Sequence, residues 1–198
     1  MIKCNHYITK GDDHPMEKKN VLLLGDSRRM GYKPFVRELL KEEAEVFGPS
    51  ENGRWAGYTL NSLRFWLNEF PTPEIVHWNC GLWDLGDDYH IGRPFSLPEE
   101  YESAVERTVI VLRKLFPGVK IIFATTMPTT EPDTTGIRAY NDIIRKVADR
   151  HGIPVDDLFA TMHDKMVTYD RGDRLHLSDE GNAIVAAQVA DAIRRYGF

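Results

Sequence analysis

Three residues from opposite ends of the chain have the types needed for nucleophilic catalysis. Ser27 lies in the stretch Gly25-Asp26-Ser27, whereas Asp173 and His176 lie three residues apart near the end of the chain. A serine hydroxyl attacks well only when a histidine takes its proton and an acid orients that histidine. We therefore predict Ser27 as the nucleophile, His176 as the base and Asp173 as the orienting acid. The alternatives are a helix N-cap at Ser27 and an incidental histidine at His176.

The first of these residues follows a short apolar run. Val21-Leu22-Leu23-Leu24 has no polar break, which predicts a strand buried on both faces of a sheet. Gly25 allows a sharp turn, and Asp26 or Ser27 can then begin a helix. Ser27 should therefore lie at the carboxyl end of a central strand, the edge at which open α/β sheets bind ligands. Because the segment 172–178 follows the last predicted strand, it can reach the same edge.

Strand and helix patterns alternate along the rest of the chain. This alternation is the signature of a parallel sheet covered on both faces. We predict an α/β fold of three layers, αβα, with a flavodoxin-like five-stranded sheet of order 2-1-3-4-5. The predicted strands are 21–24, 44–47, 74–80, 119–125 and 153–158, and the predicted helices are 31–43, 60–70, 98–116, 137–151 and one that begins near 178. We expect an irregular arm over 1–19 and a single domain over 20–198.

The helical spacing of apolar residues predicts the buried face of each helix. The first helix should bury Phe35 and Leu39. The residues expected to be buried in the next two helices are Leu60, Leu63, Leu67 and Phe70, and then Val105, Val109, Leu112 and Phe116. Gly152 should end the fourth helix. The residues expected to be buried in the last helix are Ile184, Val185, Val189 and Ile193.

The composition narrows the range of partners. The chain has 198 residues, enough for one domain, with a net charge of −5 and no basic stripe, so a nucleic-acid partner is not expected. No apolar stretch of the sequence is long enough to cross a membrane, and no membrane partner is expected. Cys4 and Cys80 have neither the spacing of a metal site nor that of a disulfide framework, and we expect no metal and no cofactor. The oligomeric state stays open.

The start of the chain bears on its location. The first twenty residues contain no apolar core of signal-peptide length, so we expect a cytoplasmic protein. A chain from which a signal had been removed would look the same, and Met16 is an alternative start. Both alternatives stay open at this point.

The motifs, in their order and at the ends of predicted strands, resemble those of the GDSL or SGNH hydrolase family. Gly25-Asp26-Ser27 resembles the nucleophile block, Asn52-Gly53-Arg54 the second block and Asp173-Arg174-Leu175-His176 the last. The resemblance implies a serine esterase that works through an acyl-enzyme, often on the O-acetyl group of a sugar, without metal. It also implies that the backbone N–H groups of Ser27 and Gly53 line the oxyanion hole.

This resemblance covers about residues 20–198 and has one clear departure. The third block of the family is usually Gly-x-Asn-Asp, whose Asn donates to the oxyanion, but this chain has Gly81-Leu82-Trp83-Asp84. Trp83 offers a single indole N–H in place of an amide. Asn79 is the alternative donor. Residues on a strand point alternately to opposite faces of the sheet, so its reach to the oxyanion depends on the face to which its side chain points. An indole at Trp83 would narrow the space for acyl carbons, which favours an acetyl group.

Several further side chains could contact a substrate, each with a structural alternative. The residues expected in the substrate pocket are Trp83, Arg54 and Tyr89. The candidates for binding an anionic group are Arg28, Arg54 and Arg138, with solvation as the alternative. The candidates for stacking on a sugar ring are Trp55 and Tyr89, with rim packing as the alternative. The loop 86–97 is expected to form a wall or lid of the site, and His77 is expected to be a core histidine.

Three functions are compatible with these motifs. We favour a serine esterase that acts on a small-molecule or glycan ester, with an O-acetyl group on a carbohydrate as the leading substrate class. The departure at Trp83 keeps open a catalytically weak relative that binds a sugar or another small ligand. The third is a flavodoxin-like nucleotide-binding module, but the first strand leads to Gly25-Asp26-Ser27 and not to a glycine-rich phosphate loop. Turnover of a chromogenic acetyl ester separates the first function from the others.

Overall fold

The protein is built on one parallel sheet. The structure, a computed structural model, describes residues 18–66, 68–87 and 90–198. The strands are β1 (Lys19–Leu24), β2 (Ala44–Phe47), β3 (Ile75–Asn79), β4 (Lys120–Ala124) and β5 (Val155–Asp156). They pair in parallel in the order β2-β1-β3-β4-β5. The predicted fold class, strand number and strand order are confirmed.

Helices cover both faces of this sheet. In the part of the chain that the structure describes, they are α1 (Ser27–Leu39), α2 (Ala56–Trp66), α3 (Leu82–Leu85), α4 (Pro98–Leu115), α5 (Thr135–His151), α6 (Leu158–Met162), α7 (Met166–Tyr169) and α8 (Asp179–Gly197). Among these described helices, none has both the length and the apolar character needed to cross a membrane. Of the predicted N-terminal arm, residues 1–17 lie outside the described residues, and β1 begins at Lys19.

Two apolar cores lie on opposite sides of the sheet. Alternate residues of β1 point to opposite faces, so Leu22 and Leu24 pack with residues of α2, α4 and α5. Val21 and Leu23 pack instead with residues of α1 and α8. All four side chains are fully buried, as expected for a central strand of a sheet covered on both sides.

Several helix faces differ from the sequence-based prediction. In α1, Leu39 is 44% exposed, so its predicted burial was wrong. The helix begins at Ser27, and the buried positions that follow from that start are Tyr32, Val36 and Leu40. Four buried residues of α2 were not predicted, namely Ala56, Thr59, Ser62 and Trp66. Of the predicted ones, Leu63 is buried, Leu60 and Phe70 are half-buried, and Leu67 lies outside the described residues.

The other predicted faces agree better with the structure. The predicted stripe on α4 is confirmed, because Val105, Val109, Leu112 and Phe116 are all buried. Gly152 ends α5 in the left-handed conformation, as predicted. In α8 the buried residues Val185, Val189 and Ile193 match the prediction, whereas Ile184 is half-buried. These buried faces pack the helices against both sides of the sheet. The packing holds in place the carboxyl edge of the sheet, where the candidate catalytic residues lie.

Candidate active site

Ser27 lies on a sharp turn between the central strand and a helix. β1 ends at Leu24, and Gly25 has a φ of +148°, a conformation that L side chains rarely adopt. A Cβ atom at Gly25 would lie 2.1 Å from Asn79 Oδ1, so only glycine fits. The Asp26 carboxylate then accepts the Arg28 N–H at 2.9 Å and caps α1. Ser27 is therefore the first residue of a helix, presented at the carboxyl end of β1.

The structure brings Ser27 together with the predicted base and acid. Ser27 Oγ lies 2.7 Å from His176 Nε2, and His176 Nδ1 lies 2.8 Å from Asp173 Oδ2. With the proton on Nδ1, His176 donates to Asp173 and accepts from the Ser27 hydroxyl. This is the hydrogen-bond order of a Ser-His-Asp triad.

Asp173 is held as a carboxylate by the groups around it. Its Oδ1 accepts the backbone N–H of His176 at 2.7 Å and that of Leu175 at 3.0 Å. The Arg171 guanidinium also donates to Oδ2, at 2.7 Å. The backbone N–H of His176, with its side chain and that of Arg171, keeps the pKa of Asp173 well below its usual range. The group that faces the His176 ring is thus negatively charged throughout the neutral range.

The loop that carries Asp173 and His176 is tied to α8 and to a neighbouring loop. An antiparallel bridge joins Asp170 to Leu177, directly before α8. Ser178 caps that helix by accepting the Gly181 N–H at 3.3 Å. From the other side, the Thr130 N–H donates to the Arg174 carbonyl at 3.2 Å. The segment with the base and the acid is therefore held by the bridge at Leu177 and by the bond to the Arg174 carbonyl.

A pocket of about 480 Å³ opens beside the nucleophile. Its lining residues are Ser27, Asn52, Leu82, Trp83, Gly86, Leu175 and His176. The walls next to the hydroxyl and the imidazole are thus largely apolar, with Trp83 as the largest side chain. Among the residues that the structure describes, no three His, Cys, Asp or Glu side chains converge to hold a metal ion.

A comparison with protein families decides which family carries this arrangement. The sequence model of the GDSL-like lipase/acylhydrolase family matches residues 24–184, which include Ser27, Asp173 and His176. The chain belongs to this family. It is therefore a carboxylic ester hydrolase by family. A search among curated proteins finds no match.

Several solved structures share the fold of this chain. An acetyl xylan esterase has a TM-score of 0.74 with 22% identity, over 88% of this chain and 99% of that chain. A lipase/acylhydrolase from Enterococcus faecalis has a TM-score of 0.74 with 18% identity, over 89% of this chain and 96% of that chain. A carbohydrate esterase family 3 protein from Talaromyces cellulolyticus has a TM-score of 0.71 with 20% identity, over 89% of this chain and 97% of that chain. At these identities the likeness concerns the fold.

Two of the predicted oxyanion donors have hydrogen-bond partners within the protein, namely the Gly53 N–H expected from the GDSL family and the alternative donor Asn79. The Gly53 N–H donates to the Gly25 carbonyl at 2.9 Å. The Asn79 amide donates to Asp26 at 3.1 Å, and its oxygen accepts the Tyr32 hydroxyl at 2.8 Å. Asn79 is buried, and its side chain packs directly against the turn at Gly25. Both groups would have to give up an internal hydrogen bond in order to donate to an oxyanion.

A residue that sequence reasoning missed holds this turn of the GDSL-family hydrolase. Arg29 is fully buried, and its guanidinium donates to the carbonyls of Pro49 at 2.8 Å and Glu51 at 2.7 Å. It also reaches the Gly25 carbonyl at 3.3 Å. The guanidinium thus joins the nucleophile turn to the loop after β2. The spacing of Arg29 to Tyr32 and then to Val36 places Arg29 on the buried face of α1, but a charged residue does not fit the apolar periodicity by which such a face is recognised.

Asp84, the last residue of the third block, joins three elements of the site. Both of its carboxylate oxygens lie within hydrogen-bond distance of the Ala56 N–H at the start of α2. The Ser96 hydroxyl donates to Asp84 Oδ1 at 2.8 Å. Burial raises the pKa of Asp84 to about 6, against the effect of these hydrogen bonds. Through Ser96, this carboxylate fixes part of the loop 86–97, whose residues 88 and 89 lie outside the described residues.

The predicted aromatic and basic residues near the second block lie at the rim. Arg54 is exposed, and its guanidinium lies 4.7 Å from the centre of the Tyr58 ring. Trp55 packs between Tyr58 and Phe95. Neither Arg54 nor Trp55 lines the pocket beside Ser27. Tyr89, the third predicted substrate contact, lies outside the described residues.

The remaining candidates are engaged elsewhere in the structure. Arg28 is buried and donates to the Met127 carbonyl at 2.6 Å, and burial lowers the pKa of its guanidinium to about 10. Arg138 lies over the Phe159 ring at 4.5 Å. His77 is fully buried with its Nε2 atom 3.0 Å from Asp156 Oδ2. None of these three described side chains lines the Ser27 pocket.

Proposed function

We propose that this hydrolase is a serine esterase that removes an acetyl group from an oxygen of a carbohydrate. The observation that carries the proposal is the hydrogen-bonded series from Ser27 Oγ through His176 to Asp173. A serine becomes an effective nucleophile when a base accepts its proton within hydrogen-bond distance.

In the first half of the reaction, Ser27 Oγ attacks the ester carbonyl carbon and its proton passes to His176 Nε2. The imidazolium that forms is stabilised by the Asp173 carboxylate, which lies 2.8 Å from Nδ1. The tetrahedral intermediate then breaks its bond to the alcohol oxygen. His176 returns the proton to that oxygen, so the alcohol leaves neutral and the acyl group remains on Ser27.

In the second half, a water molecule takes the place of the alcohol. His176 Nε2 accepts a proton from this water as its oxygen attacks the acyl carbon. The second tetrahedral intermediate releases the carboxylic acid, and the proton on His176 returns to Ser27 Oγ. The cycle consumes one water molecule for each ester bond.

The oxyanion in both intermediates needs hydrogen-bond donors directed at it. We assign the Ser27 N–H to this role, because N–H groups in the first turn of a helix have no partner within the helix. The positive end of the α1 dipole lies at the same place. We assign Trp83 to the pocket wall, where its indole limits the space for the acyl group.

The substrate class rests on two supports. The pocket beside Ser27 is bounded by the apolar side chains of Leu82, Trp83 and Leu175, which suit a short acyl group. Two of the solved structures with the same fold are described as an acetyl xylan esterase and as a carbohydrate esterase family 3 protein. An acetyl ester of a sugar satisfies both.

The test is labelling by a fluorophosphonate probe together with turnover of a chromogenic acetyl ester. We expect the probe to modify Ser27 in the wild type and to leave Ser27→Ala unlabelled and inactive. Labelling at another serine, or turnover by Ser27→Ala equal to that of the wild type, would refute the proposal. A protein that folds but neither reacts with the probe nor turns over acetyl esters would favour the second candidate, a weak relative that binds a sugar, which the tryptophan at position 83 suggests.

A further inference from the structure

Three aromatic side chains form a cluster at the rim of the active site. We call the cluster of Trp55, Tyr58 and Phe95 the aromatic rim. The Trp55 ring lies 4.6 Å from that of Phe95 and 5.2 Å from that of Tyr58, measured between ring centroids. Trp55 and Tyr58 are three residues apart at the start of α2. Phe95 comes from the loop 86–97, so tertiary structure brings its ring to the other two.

Backbone hydrogen bonds place the aromatic rim next to the pocket that contains Ser27. The Phe95 N–H donates to the carbonyl of Gly86, a lining residue of that pocket, at 2.7 Å. On the other side, the Arg54 N–H donates to the side chain of Asn52, another lining residue, at 2.8 Å. Trp55 directly follows Arg54. The segments that carry the aromatic rim are therefore attached to two lining residues of the pocket, Gly86 and Asn52, while the rings themselves do not line it.

The rim leaves ring surface open to solvent. Phe95 is 38% exposed, and Trp55 and Tyr58 are half-buried. Clusters of exposed aromatic side chains next to a reactive pocket are typical of ligand-binding surfaces. The exposed Arg54 guanidinium over the Tyr58 ring adds hydrogen-bond donors to the same surface.

We propose that the aromatic rim is a subsite for a pyranose ring of the alcohol part of the ester. The C–H groups on one face of a pyranose form an apolar surface that packs on an aromatic ring, while its hydroxyls need donors and acceptors at the edge. Trp55 and Phe95 provide the rings, and Arg54 and Asn52 provide the polar edge. The subsite rests on the proposed esterase function, because the sugar is the group whose oxygen the acyl carbon releases.

The experiment compares two acetyl esters that differ only in the alcohol part. One is a mono-O-acetylated methyl β-D-xyloside, which has a pyranose ring with free hydroxyls, and the other is ethyl acetate, which has no ring. We expect Trp55→Leu and Phe95→Leu to lower the ratio of kcat/KM for the xyloside to that for ethyl acetate by about tenfold, mainly through KM. Leucine keeps the apolar packing of each position and removes the flat ring face.

The matched control is Phe65→Leu. Phe65 is 60% exposed and has the Arg64 guanidinium over its ring, so it resembles the exposed aromatic residues of the rim. It lies on α2 about 14 Å along the helix axis from Ala56, at about 1.5 Å per residue, and so it is away from the aromatic rim. We expect this variant to keep the wild-type ratio.

A ratio unchanged in Trp55→Leu and Phe95→Leu would overturn the subsite while leaving the esterase proposal intact. A change in the ratio of butyryl to acetyl turnover alone would overturn it as well, because the rim would then bind the acyl part. Failure of the esterase proposal has a different signature, namely hydrolysis that is independent of Ser27, or no hydrolysis of either ester by the folded wild type.

Discussion

His176 and Asp173 make different contributions to the same proton transfer. His176 Nε2 lies 2.7 Å from the Ser27 hydroxyl and is the atom that receives the proton, so His176→Ala should remove nearly all esterase turnover. Asp173→Asn keeps the size of the side chain but loses the charge that faces Nδ1. We expect it to lower kcat by up to about 10⁴-fold, as for the acid of serine proteases.

The measurement for this pair is steady-state turnover of an acetyl ester, with circular dichroism to show that both variants fold. Arg171→Gln is a useful companion, because Arg171 also contacts Asp173 but the backbone N–H groups of Leu175 and His176 remain. It should cost far less activity than Asp173→Asn. Near-normal turnover in His176→Ala would contradict the role of the base.

Trp83 leads to a prediction about acyl length. The indole lines the pocket together with Ser27 and His176, at the position where the family usually has asparagine. We expect the wild type to prefer acetyl over butyryl and octanoyl esters, and Trp83→Asn to accept the longer esters better. The measurement is kcat/KM for the three esters on both proteins.

Two outcomes would contradict this assignment of Trp83. If the wild type prefers octanoyl esters, the indole does not limit the acyl space. If Trp83→Asn folds but loses about a hundredfold of its acetyl turnover, the indole N–H is itself an oxyanion donor, since the loss of one donor typically costs about that much.

At the scale of single residues, the sequence contains enough to predict that Ser27, Asp173 and His176 lie together. Each belongs to a short local motif at a strand end or before a helix, and parallel strands bring those ends to one edge. The engagement of the Gly53 N–H by Gly25 could not be predicted in this way. That hydrogen bond depends on how the loop after β2 folds back over β1, which no local pattern of residues encodes.

Among the secondary structure elements, Asp84 is the carboxylate that links α2, α3 and the loop 86–97. Its pKa is about 6 in the folded protein because it is buried, against an ordinary value of 3.8. The folded state therefore resists ionisation of Asp84, and stability from this group is full below about pH 4 and falls as the pH rises to about 6. The size of the fall is about 3 kcal/mol, at about 1.4 kcal/mol per pKa unit.

The prediction is tested with Asp84→Asn, which cannot ionise. Because other carboxylates titrate in the same range, the quantity to follow is the difference in unfolding free energy between variant and wild type, from denaturant titrations at pH 4, 5, 6 and 7. We expect this difference to move in favour of Asp84→Asn as the pH rises. A constant difference across that range would show that Asp84 does not resist ionisation in the fold.

The limits of prediction at the element scale are visible in α1. The helix begins at Ser27, where the sequence analysis allowed a helix start, but the apolar periodicity was recognised only over 31–43 and predicted a buried Leu39. The buried positions are instead Tyr32 and Val36, followed by Leu40 at the end of the helix. The pattern was hard to recognise because a buried arginine lies on the same face. A charged side chain on a buried face contradicts the apolar periodicity on which such predictions depend.

For the whole molecule, the strand order followed from the alternation of strand and helix patterns and was confirmed by the structure. Less predictable was how the sheet is held together across its width. His77 on β3 and Asp156 on β5 are separated by β4, yet their side chains meet on the face covered by α8. Gln188 of α8 donates to the other oxygen of Asp156 at 2.5 Å. No spacing along the sequence connects these three residues.

This buried contact gives the last prediction, which concerns global stability. Both side chains of the pair are at most 2% exposed, so removing one partner leaves the other buried and poorly paired. We expect His77→Leu to lower the free energy of unfolding by about 3 kcal/mol, and the midpoint of thermal unfolding by about 6–12 °C. The measurement is thermal and denaturant unfolding, with acetyl-ester turnover well below the midpoint as the test that the active site survives.

The double variant His77→Leu with Asp156→Leu is the control that separates pairing from packing. If the cost of His77→Leu comes from an uncompensated carboxylate, removing that carboxylate as well should restore much of the lost stability, because apolar replacement of a whole buried pair is often neutral or better. If the double variant is instead less stable than either single variant, the contribution of His77 lies in its shape within the core. A wild-type midpoint for His77→Leu would mean that the contact between β3 and β5 does not stabilise the sheet.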